Sequence, residues 1–298
     1  MRISGCWFLG WVALAQPASA VVVASGGPNN TAPGGQQFFD NVGELNGATA
    51  IYLADGWVMS ANHVSGSLPA SVNFGGTSYT TVPGSFHRLT NAGPLTTFTD
   101  IVLFRLNAPP ALPGVSLSTA TPTIGSEVMM IGNGRVQNSQ TYWNRTEIPG
   151  DDNDTWVETT EALSNISGFQ TTTSHEIRWG ENAVDDNGFT VNIGHGDVVS
   201  FSTQFDEIGL AHEAQAVSGD SGGAVFSFVG GAWQLSGMMY AVSGHETQPG
   251  GSTSAVFGVQ TAIADLSYYR AEILTIIPEP SALMISLIAT AGLLRRRR

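Results

Sequence analysis

Between Phe38 and Tyr268 the apolar residues fall in short runs, each closed off by glycine, proline, asparagine or aspartate. Runs of that length suit β-strands, and turn signals at that spacing suit a sandwich or barrel. The clearest case is Thr49 to Ala54, then Asp55-Gly56, then Trp57 to Ala61. An Asp-Gly pair between two apolar runs supplies the left-handed residues that a tight hairpin turn needs. Further strands are expected at Ser71–Phe74, Ile101–Leu106, Glu127–Ile131, Val198–Thr203, Ala224–Phe228, Trp233–Met239 and Ala255–Val259. Ala262 to Leu274 repeats at helical spacing and is predicted to close the domain as a helix. Ala108 to Ile124, rich in proline, is expected to link two halves.

Composition narrows the function. Hydrophobic residues make up 42% of the 298 and charged ones 12%, which excludes a disordered chain. The formal charge is −13 and lysine is absent, so no basic stripe exists to hold nucleic acid. The single cysteine is Cys6, inside a segment expected to be removed. That excludes a cysteine nucleophile, a cysteine-ligated zinc and a disulfide in the mature protein.

Both ends read as addresses. Residues 1–20 carry Arg2, an apolar stretch from Cys6 to Ala15 and a final Ala18-Ser19-Ala20, the small-x-small pattern of a signal peptide. Residues 21–37, rich in Gly, Pro and Asn, are expected to form a flexible leader. In the tail, 273–298, Pro278-Glu279-Pro280 precedes an uncharged run from Ser281 to Leu294 and four arginines, Arg295 to Arg298. That run is shorter than the roughly 20 residues that span a bilayer comfortably. The tail resembles the PEP-CTERM sorting signal of Gram-negative bacteria. The resemblance implies export across the inner membrane, handling by signal peptidase and an exosortase-type enzyme, and transient membrane association through the tail. The destination would be the cell surface, the extracellular matrix or the medium.

Gln137 to Gly196 is polar and poorly periodic. Its runs Asp151-Asp152-Asn153-Asp154 and Asp185-Asp186-Asn187-Gly188 invite a calcium reading, but neither has full EF-hand spacing, and solvated acidic loops are commoner. No cofactor or metal is expected. His87, His175, His195, His212 and His245 show no metal-ligand spacing and read as surface or loop residues.

Three segments carry chemistry. They are Ser60-Ala61-Asn62-His63-Val64, Thr99-Asp100-Ile101-Val102-Leu103, and Ser218-Gly219-Asp220-Ser221-Gly222-Gly223. A serine hydroxyl needs a base to remove its proton as it attacks an amide. Imidazole titrates near neutrality and suits that task, and a buried carboxylate would fix its tautomer. Asp100, at the head of an apolar strand, would be costly unless paired. Backbone amides at Gly219 and Ser221 could receive the negative charge that develops on the attacked carbonyl. His63, Asp100 and Ser221 are therefore the expected triad.

Together these segments resemble the trypsin/chymotrypsin superfamily, as do Gly132-Asn133-Gly134-Arg135 and Gly231 to Gly237. The resemblance implies an all-β domain over 38–272, with two six-stranded antiparallel β-barrels, a C-terminal helix and the triad between them. It implies a serine endopeptidase acting on protein or peptide substrates. By similarity the specificity pocket involves Gln215, Ala216, Tyr240, Ala241, Val242 and Ala255. With no acid at Gln215 and a valine at 242, a small or medium uncharged residue is expected before the cut. Val64 and Val217 stand where the family has cysteines, and no Arg-Ile-Val-Gly-Gly cleavage site is visible. In the family a freed amine pairs with the acid matching Asp220 and sets the oxyanion hole. Here Asp220 is expected to find a partner without zymogen cleavage.

Two other readings compete. Gly219-x-Ser221-x-Gly223 also fits the nucleophile elbow of an α/β-hydrolase esterase, but the only later His and Asp, His245 and Asp265, come in the wrong order. A silent protease fold could also serve as a surface or matrix binding protein.

Overall fold

The computed structural model describes residues 21–148 and 153–277. The segments expected to be a signal peptide, residues 1–20, and a sorting tail, from Pro278 onward, lie outside the described residues, as do Asp151-Asp152.

The Asp-Gly hairpin forms as its sequence demands. Strands Ala48–Ala54 and Trp57–Ala61 pair antiparallel, and the turn residues Asp55 and Gly56 have φ of 50° and 87°. They sit in a seven-stranded sheet ordered Thr77–Thr80, Ser71–Phe74, Val42–Leu45, Ala48–Ala54, Trp57–Ala61, Phe98–Arg105, His87–Thr90. A bridge between Thr81 and Leu106 ties one edge back to the Phe98–Arg105 strand, so the sheet curls on itself. The second module is a closed six-stranded barrel. Its order is Arg178–Asn192, Asp197–Gln204, Gln260–Asp265, Ala232–Val242, Ala224–Val229, Glu127–Gly132. The all-β expectation holds: one closed six-stranded barrel stands beside a curled seven-stranded sheet where the other six-stranded barrel was expected.

Both faces of the central strands are buried, which explains why their apolar runs are continuous. In Glu127–Gly132, Val128 and Met130 join the core inside the barrel. Met129 and Ile131 point the other way, into a core shared with the first module. Ala50 and Tyr52 likewise fill the first module, and Ile51 and Leu53 face the second. The shared layer includes Met59, Leu103, Phe226 and Met238, so the two modules are welded along one apolar seam. The proline-rich link runs across this seam, where Val115 N–H donates to Leu53 O and Ser118 N–H to Leu235 O.

Three sequence expectations differ from the fold. The polar, poorly periodic stretch from Gln137 turns out to be mostly strand, and apart from the barrel strand Arg178–Asn192 it builds a separate four-stranded sheet. Its order is Thr155–Thr159, Arg135–Thr146, Ile166–His175, Ser254–Val256. One of its faces is solvated and its register shifts twice, between Arg135 and Gln137 and between Gln137 and Gln140, which hides the period of two. The closing helix starts at Leu266, later than its periodicity suggested, because Gln260–Asp265 completes the barrel and the Asp265 carboxylate caps Ser267 N–H. Ile273 and Ile277 are buried in the shared core, so the folded domain runs past residue 272. Third, the leader is anchored at its start. Val22–Val23 forms a strand against Ala214–Gln215, and Val21, Val22 and Val23 are all 0% exposed.

No helix among the described residues is long and apolar enough to cross a membrane. Among them, no group of three or more His, Cys, Asp or Glu is placed to hold a metal ion. Asp185 instead accepts from Gln260 Nε2, and Asp186 from the Asn187 N–H.

Phe226 is 1% exposed and stacks on Phe38 at 4.2 Å, whereas Phe228 on the same strand is 60% exposed. Phe226→Ala is expected to cost about 3–5 kcal/mol in a urea melt. Phe228→Ala should stay within about 0.5 kcal/mol.

Candidate active site

His63 enters on the short helical turn Asn62–Ser65 that follows strand Trp57–Ala61. That strand pairs with Phe98–Arg105 in the register Ala61 to Ile101, which brings Asp100 beside His63. Asp100 is 0% exposed. One of its oxygens accepts from the His63 backbone N–H at 2.9 Å and the other meets His63 Nδ1 at 2.6 Å. A buried carboxylate is tolerable only when so satisfied. The pair fixes the proton on Nδ1, and Nε2 is left as the basic nitrogen.

Ser221 sits in the turn Ser218–Gly223, whose shape depends on Gly219. Its φ of 99° is closed to other residues, and an added Cβ would lie 2.7 Å from the His175 ring. Arg135 N–H holds Ser218 O, and Gly223 N–H holds Asp220 O. Each peptide unit is trans, so the N–H groups of Gly219 and Ser221 point away from those partners. Neither amide has a hydrogen-bond partner among the described residues. On the other side, Thr49 ties the turn to the first module, its N–H donating to Ser221 O at 3.0 Å and its hydroxyl to Gly219 O at 2.8 Å.

His63, Gly219 and Ser221 line one open cavity of about 500 Å³ between the two modules. Of the pocket residues expected by similarity, Ala216, Tyr240, Ala241 and Val242 line it. Gln215 and Ala255 do not. Gln215 is 1% exposed in the strand that pairs with Val22, and Ala255 is 0% exposed against Phe169. Val217, Ser218, Ser252 and Ile193 complete the wall instead. No hydrogen bond joins Ser221 Oγ to His63, a link that often tightens only when substrate binds.

Two histidines read as surface residues reach this site. His195 on the Asn192–Asp197 hairpin tip lies 5.6 Å from the His63 ring, centroid to centroid. His175 ends strand Ile166–His175, bonds Asn133 O at 3.0 Å and packs under Gly219. Nothing in their local sequence signals this, because each arrives on a segment whose pairing is long-range.

Asp220 points inward from the same turn and is 1% exposed. Its carboxylate takes the space that side chains at 132 and 134 would need, since a Cβ on Gly132 or Gly134 would overlap its oxygens. It accepts from Val217 N–H at 2.8 Å. Burial pushes its pKa from 3.8 up to about 7, and the N–H groups of Val217, Gly134 and Val21 with the charge of Arg178 oppose that rise. A folded pKa above the unfolded one means that stability is lost as pH rises from about 4 to about 7. For a chain with a peptide bond still preceding Val21, this one group is expected to remove up to about 4 kcal/mol across that window. Asp220→Asn should flatten the loss in urea melts taken at pH 4.5 and 7.5.

No protein-family model and no curated protein matches the sequence. Solved structures do. A mutant of human heparin binding protein matches at 13% identity over 85% of this chain and 96% of that one, with a TM-score of 0.52. Neuropsin, a serine protease of mouse brain, matches at 15% identity over 83% and 97%, with a TM-score of 0.48. The Rv3671c protease in its inactive form matches at 12% identity over 81% and 90%, with a TM-score of 0.44. Likeness at such identities speaks to fold alone, and with the six-stranded barrel, curled sheet and closing helix it gives this chain the chymotrypsin-like fold.

Proposed function

We propose that this chain is an exported serine endopeptidase that hydrolyses peptide bonds through an acyl-enzyme. One observation carries the reading. The His63–Asp100 pair, the Ser221 hydroxyl and two unpartnered amides all meet at a single cavity between the modules.

In this reading His63 Nε2 takes the Ser221 proton as Oγ attacks the substrate carbonyl. Asp100 holds the imidazole and stabilises the imidazolium. The Gly219 and Ser221 N–H groups receive the oxyanion, already aimed before substrate arrives. The intermediate collapses, His63 passes the proton to the leaving amine, and water then releases the acyl group by the same route. Ala216, Tyr240, Ala241 and Val242 shape the pocket, which suits a small or medium uncharged side chain before the cut. Among the described residues no acid lines the cavity to meet a basic one.

The N-terminal segment supports export as the maturation step. Cleavage after Ala20 would leave Val21 first, and the Val21 N–H is one of the groups that favour the ionised form of Asp220. A free amine there would carry a full positive charge into the site. The tail would then serve as a sorting signal, processed by an exosortase-type enzyme after transient membrane contact, and deliver the protein to the cell surface, the matrix or the medium.

A second reading, a silent binding module, is favoured by the absent Ser221–His63 hydrogen bond. A fluorophosphonate probe separates the two. It should label wild-type protein at Ser221 and leave Ser221→Ala unlabelled, while His63→Ala should react about 10⁴-fold more slowly. Labelling of His63→Ala at the wild-type rate would contradict triad chemistry. Active material should begin at Val21 on N-terminal sequencing, and a start further along the leader would refute maturation by the export cut.

A further inference from the structure

Arg178 is the one cation of the described residues that is 0% exposed, in a chain without lysine. A buried charge is costly unless its surroundings compensate it, so the position calls for a reason. On strand Arg178–Asn192 it pairs opposite Gly132. Directly paired residues project to the same face of a sheet, and the face of Gly132 is where the Asp220 carboxylate sits. The register therefore aims Arg178 into the Asp220 chamber. Its guanidinium donates to Pro28 O, to Val21 O at 3.3 Å and to Gln137 Oε1 at 3.1 Å. Gln137 in turn brackets Val23, accepting from its N–H at 2.8 Å and donating to its carbonyl at 3.0 Å.

We infer that Arg178 is a positioning residue for the oxyanion turn: it clamps the Val21–Pro28 segment and supplies an internal counter-charge to Asp220, which keeps the Gly219 and Ser221 amides aimed at the cavity. The inference rests on the peptidase reading and adds a device to it. Arg178 acts through Asp220 and does not line the cavity. The charged groups acting on the pair are few. Glu176 lies two residues before Arg178 and accepts from Asn30 Nδ2 at 2.9 Å. Val21 contributes its N–H, or its ammonium once freed. Burial pulls Arg178 down only to about 10, so it stays cationic at neutral pH. With that cation removed, Asp220 would hold its proton to higher pH, and the turn would lose the ion beneath it.

The test uses the mature protein with Arg178→Gln and Arg178→Lys, assayed on a peptide ester from pH 6 to 9. Arg178→Gln is expected to lower kcat at pH 7 by about tenfold or more with KM little changed, because the oxyanion hole acts on the transition state. Its activity should recover toward pH 9, moving the acid limb of the profile upward, and Arg178→Lys should move that limb back. A merely structural role would lower activity equally at every pH. A folded Arg178→Gln with wild-type kcat and acid limb overturns the inference.

A second arm does not depend on turnover. In urea melts the double variant Arg178→Gln/Asp220→Asn should be no less stable than Arg178→Gln alone, because Asp220→Asn removes the buried carboxylate that Arg178→Gln leaves without its cation. The same comparison decides the matter if Arg178→Gln alone does not fold: a folding double variant supports the pair. Losses that simply add, or a double variant that fails as Arg178→Gln does, contradict it. Wild-type protein that turns over no ester and takes no fluorophosphonate would sink the peptidase reading by itself, and the stability arm would still rule on Arg178.

Discussion

The site depends on how one carboxylate is buried. Asp220 precedes the candidate nucleophile and points into the protein, so the turn that carries Ser221 can keep its shape only while that carboxylate is satisfied. The chain meets this need with space, donors and charge. Gly132 and Gly134 leave room, the Val217 N–H donates to one oxygen, and the N–H groups of Gly134 and Val21 with the charge of Arg178 favour the ionised form. Even so, burial holds the carboxyl near neutrality. A buried acid so nearly balanced is a natural point of control, because a small change in nearby charge decides its ionisation.

The rest of the architecture converges on the same turn. The first module contributes His63, on the helical turn after strand Trp57–Ala61, and Asp100 from the paired strand, and reaches across the seam through Thr49, which bonds the carbonyls of Gly219 and Ser221. The barrel contributes the turn itself and the pocket wall from Tyr240 to Val242. The inserted sheet pairs Phe169 with Ala255 behind that wall and sends His175 under Gly219. Segments far apart in sequence thus restrain a few peptide units, as a preorganised site requires. Their common support is the apolar seam that fixes one module against the other.

Much of this was legible in the chain. The Asp-Gly hairpin, the apolar strands of both modules and the three motif segments could be read because each depends on local chemistry: a turn conformation, a side-chain period, a glycine-rich bend. What escaped depends on pairing across distance. The inserted sheet from Arg135 to His175 has a solvated face and bulges, so its alternation is broken. Val21 to Val23 looked like part of a loose leader, because nothing in a Gly- and Pro-rich stretch reveals that Ala214–Gln215 waits to pair with it. Gln215 was expected to help line the pocket, yet it is buried in that same pairing. The roles of Arg178, His175 and His195 were invisible for the same reason. A strand's register cannot be read until its partner is known.

The account's central claim is that Ser221 attacks while the amides of Gly219 and Ser221 receive the charge. A crystal structure of mature protein trapped with a peptidyl aldehyde tests it most directly. The account predicts a covalent bond from Ser221 Oγ, with the former carbonyl oxygen about 2.7–3.1 Å from both nitrogens. An aldehyde bound without that bond, or an adduct whose oxygen faces away from the two amides, would contradict it.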